Sequence, residues 1–123
     1  MVFAPAPSIE RTFSGRFSAT APIAVSNLTV ADGEYRVHYG MRILVQPQAG
    51  RAIGLRCGVV DTSGRIEFFD ALAREVPAGR WVTIDAEGVF ELPELTLGIR
   101  CVPDRPAPLV VVVRDARLEA TAP

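Results

Sequence analysis

Few side chains in this sequence are of the types that do chemistry, and their spacing keeps them apart. His38 is the only histidine. No second histidine completes a zinc set with it, and no serine or cysteine stands near enough along the chain to make a nucleophile pair. It reads as a surface or interface imidazole. Cys57 and Cys101 lack both CxxC spacing and additional metal ligands. They are expected to be two buried free thiols, with a bridge between neighbouring strands as the alternative. Asp61, Asp70, Asp85 and Asp115 raise the question of paired-carboxylate glycoside chemistry, which needs two carboxyls held a fixed distance apart. Nothing in their spacing does that, and they serve better as ionic partners for the basic residues. Neither GxGxxG nor GxxxxGK occurs, so no phosphate loop is expected. Trp81, Tyr35 and Tyr39 are the aromatics that could stack on a sugar; both tyrosines fall at inward positions, and Trp81, just past Ala78-Gly79-Arg80, is expected to be a lid on the core. The expectation is a non-catalytic protein with no cofactor and no metal.

The elements that would carry these residues are strands. Tyr35 to Gln46, YRVHYGMRILVQ, places Tyr35, Val37, Tyr39, Met41, Ile43 and Val45 on one face. Arg36, His38, Gly40, Arg42 and Gln46 fall on the other, with Leu44 the apolar exception. This alternation is the mark of a long strand with one buried face. Arg51–Asp61 repeats it with Ile53, Leu55, Cys57 and Val59 inward, and Leu95–Cys101 with Leu95, Leu97, Ile99 and Cys101 inward. Further strands are expected over Thr12–Thr20, Ile23–Val30, Ile66–Ala73, Trp81–Glu87 and Leu109–Leu118. The last contains four consecutive valines and is expected to be covered in part on both faces. Turns are signalled by Ala31-Asp32-Gly33-Glu34, by Pro47 to Gly50, by Thr62-Ser63-Gly64 and by Pro77-Ala78-Gly79. Eight strands without helical periodicity predict an all-β, two-sheet sandwich.

At 123 residues the chain makes one domain, long enough to bury roughly two thirds of its extended-chain surface. Its formal net charge of −1 offers no attraction to nucleic acid or to an anionic membrane. All 13 basic residues are arginine, the residue best suited to bidentate pairing with carboxylates. No apolar run is long enough to cross a bilayer as a helix. MVFAPAPSIERTF has neither a basic n-region nor an apolar h-region, so synthesis in the cytoplasm without a signal peptide is expected.

Residues 1–10 read as an extended Pro-rich arm, and 11–120 as the sandwich domain. Pro5 and Pro7 forbid a helix and stiffen the arm, which lowers the entropy lost on docking. Gly40, Gly54, Gly58 and Gly98 are expected to floor one sheet surface, rimmed by Arg36, Arg42, Arg56 and Arg100. Glycine within a strand is destabilising by about 0.5–1 kcal/mol relative to alanine, so such a surface suggests close approach by an arm, a loop or another subunit. Pro5, Pro7, Arg36, His38, Arg42, Arg56 and Arg100 form the candidate interface.

AIGLRCGVVD, VPAGRWVTID, FELP, TLGIRC and VVVVRDARLE, spread from about Arg51 onward, resemble the jelly-roll carbohydrate-binding modules related to the galactose-binding-like sandwiches. The resemblance implies a jelly roll, a glycan as possible partner, and a structural calcium on an early carboxylate and one from the closing strand. Asp115 matches the closing position; Glu10 is the early carboxylate and lacks the usual Asn-Gly context. Sandwiches of this type also serve as capsid decoration and other virion surface proteins. The expected role is therefore an assembly subunit of a virion, in a homo-oligomer or on a capsid or other scaffold protein, with glycan binding as the alternative.

Overall fold

Alternation alone places β-strands, and their partners follow from how the chain doubles back. The computed structural model describes residues 2–3, 10–47, 52–62 and 67–123. Its strands are β1 (Val2–Phe3), β2 (Arg11–Phe17), β3 (Ile23–Val30), β4 (Gly33–Pro47), β5 (Ile53–Asp61), β6 (Glu67–Val76), β7 (Trp81–Leu92), β8 (Leu95–Pro103) and β9 (Ala107–Thr121). Antiparallel partners are β5 with β6, β4 with β7, β3 with β8 and β2 with β9. That set is a long ribbon folded in half between β5 and β6. Rolled up, its pairs alternate between two sheets, and the additional pairings β4–β9 and β5–β8 close each sheet. One sheet runs β2-β9-β4-β7, with β1 also on β9, and the other runs β3-β8-β5-β6. This is a jelly roll of eight strands plus the two-residue β1.

The core lies between the sheets and holds the side chains that alternation assigns to it. Tyr35, Val37, Tyr39, Met41, Ile43 and Val45 are all buried, as are Ile53, Leu55, Cys57 and Val59 on β5 and Leu97, Ile99 and Cys101 on β8. β7 is longer than expected: Gly88 does not interrupt it, and pairing with β4 runs through Val37↔Gly88 without a break. β9 departs most from simple alternation. Leu109, Val111 and Val113 point inward, then Ala116, Leu118 and Ala120 do. The switch occurs where Asp115 and Ala116 together oppose Met41, a bulge flanked by the pairs Gly40–Arg117 and Arg42–Arg114. Asp115 has φ of 54° there, in the left-handed region that aspartate tolerates better than most residues. Val110 and Val112, on the outward face, are half-buried.

Cys57 and Cys101 are not free thiols but a disulfide. They are direct partners on β5 and β8, with Cα atoms 4.1 Å apart, and both face inward. The expectation of unbridged thiols rested on compartment, and it did not weigh the register, which sets the two cysteines directly opposite each other. Of the expected features, Pro5, Pro7, Gln48 to Gly50 and Ser63-Gly64 lie outside the described residues, and so do the side chains of Phe68, Phe69 and Asp70.

The bridge joins residues 44 apart in sequence, and a loop of that size constrains the unfolded chain by up to about 4 kcal/mol in the chain-entropy account. The double replacement Cys57→Ala/Cys101→Ala is expected to lower the unfolding free energy by about 2–4 kcal/mol. Urea titration checks this; an unchanged midpoint would show that the bridge contributes nothing.

Candidate interaction surface

The outward face of the β2-β9-β4-β7 sheet carries three of the predicted interface residues, Arg36, His38 and Arg42, on alternate positions of β4. Register sets their neighbours in rows across the strands. Arg36 reaches Glu87 on β7 (3.3 Å), and the His38 ring reaches Asp85 (3.0 Å), each a diagonal cross-strand pair. Arg42 lies 3.9 Å from Asp115, and Arg114 binds Glu10, just ahead of β2. These pairs are at least partly exposed to solvent, so each contributes about 0–1 kcal/mol; together they leave a face of matched charges. Gly40 sits among them because a Cβ there would lie 3.1 Å from the Asp85 carboxylate.

Trp81 belongs to this same outward face and is not a core lid. Val82 and Ile84 take the inward positions at the start of β7, which turns Trp81, Thr83, Asp85 and Glu87 outward. The indole is half-buried, with the guanidinium carbons of Arg114 and Arg42 4.4 and 5.4 Å from its ring centroid. Such cation–π contacts contribute about 0.5–1 kcal/mol at exposed sites. The parity of Val82 and Ile84 was available in the sequence and points to this placement. Trp81, Leu44, Val112 and Thr12 lie in one cross-strand row, an apolar patch at one end of the ionic rows, with Val89 exposed toward the other end of β7.

Arg56 and Arg100 are on the opposite side of the molecule, on the outward face of β5 and β8. The single glycine-floored face expected from the sequence is therefore two faces, one on each sheet. Alternation tells in from out, and it does not tell which sheet a strand joins. The glycines also accommodate the chain's own side chains. Arg100 folds back over Gly98, donating to the Ser26 carbonyl (3.3 Å), the Ile99 carbonyl (3.0 Å) and Asn27 Oδ1 (3.0 Å). A Cβ on Gly98 would lie 2.3 Å from Arg100 Nη1. Partial burial pushes the Arg100 guanidinium down from its ordinary pKa. Asp104 lies over Gly54 in the same way, and its backbone N–H donates to the Gly54 carbonyl (2.9 Å). Beside it Arg56, Glu75 and Pro103 line an open depression of about 490 Å³.

Among the described residues no group of three or more His, Cys, Asp or Glu is arranged to hold a metal ion. Glu10 and Asp115, the pair the resemblance offers for calcium, instead face Arg114 and Arg42 respectively, so the donors do not fit that ion. Asp85 is likewise held by His38. The chemistry on offer is ion pairing, stacking and contact.

No protein-family model and no curated protein matches this chain. Solved structures do. One from the Gt strain of infectious bursal disease virus aligns with 98% of this chain and 32% of its own, at a TM-score of 0.67 and 12% identity. The likeness is one of fold. Eiger TNF from S. frugiperda aligns with 93% of this chain and 91% of its own, at 0.53 and 11%. The Clostridium thermocellum xylanase 10B CBM22-1–GH10 modules, complexed with xylohexaose, align with 93% of this chain and 25% of their own, at 0.51 and 14%. The chain thus spans about a third of the virus chain.

Gly98→Ala is expected to displace Arg100 and to be mildly destabilising, by about 0.5–1 kcal/mol, as its hydrogen bonds are lost. With Arg100 already alanine, the same change should stabilise by about 0.5–1 kcal/mol, because only the backbone entropy of glycine remains. A double-mutant cycle in urea reads the change of sign. Trp81→Ala, at a half-exposed site, is expected to cost about 1–2 kcal/mol, less than the 3–5 typical of a buried tryptophan.

Proposed function

We propose that this chain is a non-catalytic structural subunit of a virion, one that builds or decorates the particle surface through contacts with copies of itself or with a capsid or other scaffold protein. The observation that carries the reading is the alignment of nearly the whole chain, 98%, with part of a chain from a virus structure at a TM-score of 0.67. The outward surface supports it: matched ion pairs and a half-buried Trp81–Leu44–Val112 row are means of contact, not of reaction. β1, from the start of the proline-bearing arm, pairs with the end of β9, whose Thr121 pairs on its other side with Arg36 on β4, so one strand separates the start of the arm from Arg36. Arg36, His38 and Arg42 are then the interface residues on one face, and Arg56 and Arg100 a second contact on the other.

Sedimentation of the intact chain beside one beginning at Ser8, with and without a candidate capsid scaffold, tests the proposal. Self-association or scaffold binding that weakens on removing the arm or replacing Arg36 and Arg42 is the expected result. A monomer in every condition, unchanged by the truncation, would sink it.

A second reading, a glycan-binding domain, is favoured by one observation: the Trp81 ring faces outward, where an indole can stack on a sugar. The likeness to a xylanase structure holding xylohexaose accompanies it. Titration of tryptophan fluorescence with xylo-oligosaccharides distinguishes the two. A saturable shift abolished by Arg42→Ala/Arg114→Ala, with calorimetric binding lost in Trp81→Ala, favours the glycan; no change at millimolar sugar favours the assembly role.

A further inference from the structure

Cys57 and Cys101 take no part in either outward surface, and their position in the fold gives them a different property. We propose that the pair is a lock whose redox state is set while the chain folds and is afterwards held by the fold itself. In the order β3-β8-β5-β6, the bridge joins the two inner strands. Its partners belong to a ladder of seven pairs, from Leu55↔Pro103 to Asp61↔Leu97, so backbone pairing brings the two sulfurs together whether or not they are bonded. Both residues are sealed in the core, Cys57 0% and Cys101 2% exposed. Behind them the Tyr39 hydroxyl, from the other sheet, donates to the Cys57 carbonyl at 3.1 Å.

Exchange requires a thiolate to reach a sulfur in line with the bond it breaks. Oxidation by a small disulfide proceeds in two such steps. One cysteine thiolate attacks the small disulfide, forming a mixed disulfide and releasing one small thiol. The other cysteine thiolate then displaces the second small thiol. Two S–H bonds are lost and one protein S–S bond forms, while the small disulfide, the oxidant, takes up the two electrons and two protons. Reduction reverses both steps. In the closed sandwich neither direction has an approach path, since the outward side of the bridge is the paired backbone of two inner strands and the inward side is the core. Exchange must await separation of inner strands, an opening close to global unfolding in free energy. With two cysteines in the chain, no other intramolecular pairing competes.

The test compares rates in the whole protein. Bridged protein is incubated with dithiothreitol in native buffer and in guanidinium, and thiols are counted by alkylation and mass. Native reduction is expected to be slower by on the order of a thousand-fold, reflecting the rarity of the open state. The converse arm refolds the chain in reductant, removes it and adds oxidised glutathione. The reduced chain is expected to show the same far-UV spectrum and to keep both thiols for a comparably long time. Leu97→Ala, which weakens the same sheet, should accelerate both native reactions while leaving the denatured rate alone. Native rates within about tenfold of the denatured ones, or a reduced chain that lacks the native spectrum, would overturn the proposal.

Discussion

The hydrogen bond from Tyr39 to the Cys57 carbonyl is the point to which the rest of the sandwich is referred. A hydroxyl buried without a partner would be destabilising by about 1–3 kcal/mol, so the tyrosine can occupy the centre of the core only if the opposite sheet presents an acceptor there. Cys57 lies directly beside Cys101, and the bond therefore fixes β4 against the middle of the β5–β8 ladder. From β4 the register extends outward to β7 on one side and β9 on the other. At the open end of the roll Arg11, on β2, donates to the Val25 carbonyl on β3 at 2.7 Å. The two sheets are thus joined by hydrogen bonds at the centre and at one margin.

Such a frame explains why the outward faces are so evenly neutralised. Long strands present many charged side chains at fixed spacing, and like charges placed opposite one another destabilise a sheet. Arg36 with Glu87, His38 with Asp85 and Arg42 with Asp115 resolve this on one face. On the other, Arg100 and Asp104 turn back onto Gly98 and Gly54. Of the glycines that suggested an approaching partner, Gly40, Gly54 and Gly98 are covered by the chain's own side chains. The half-buried row of Trp81, Leu44 and Val112, and exposed Val89 farther along β7, depart from this neutral pattern.

How much of this could be read from the sequence depended on the range of the interaction. The alternation in Tyr35–Gln46, Arg51–Asp61 and Leu95–Cys101 identified the core correctly, since a period of two is local. Ile23–Val30 was found with its observed bounds. Errors arose wherever the answer needed a neighbour in space. Arg36 and Arg56 have the same parity on similar strands, yet they lie on opposite faces because their strands joined different sheets. The tetrapeptides GLRC at 54–57 and GIRC at 98–101 lie in antiparallel strands and meet at their cysteines, a fact that depends on β5 pairing with β8. Trp81 is the exception, a misplacement that local parity could have corrected.

The bulge at Asp115 gives β9 two phases. From Leu109 to Val113 odd-numbered residues are buried, and from Ala116 to Ala120 even-numbered ones are. The strand behaves as two shorter ladders joined by a one-residue offset, and the offset is what keeps Arg117 and Glu119 on the outward face while Leu118 stays in the core. Loss of a single residue there would not merely shorten a strand. It would put the chemistry of the whole C-terminal ladder out of step, driving charge into the interior on one side or breaking the pairing with β4 on the other. Substitution at Asp115 and change of length at Asp115 are therefore different kinds of event in the history of this chain: the first alters a turn of backbone, the second rewrites which half of the strand faces inward.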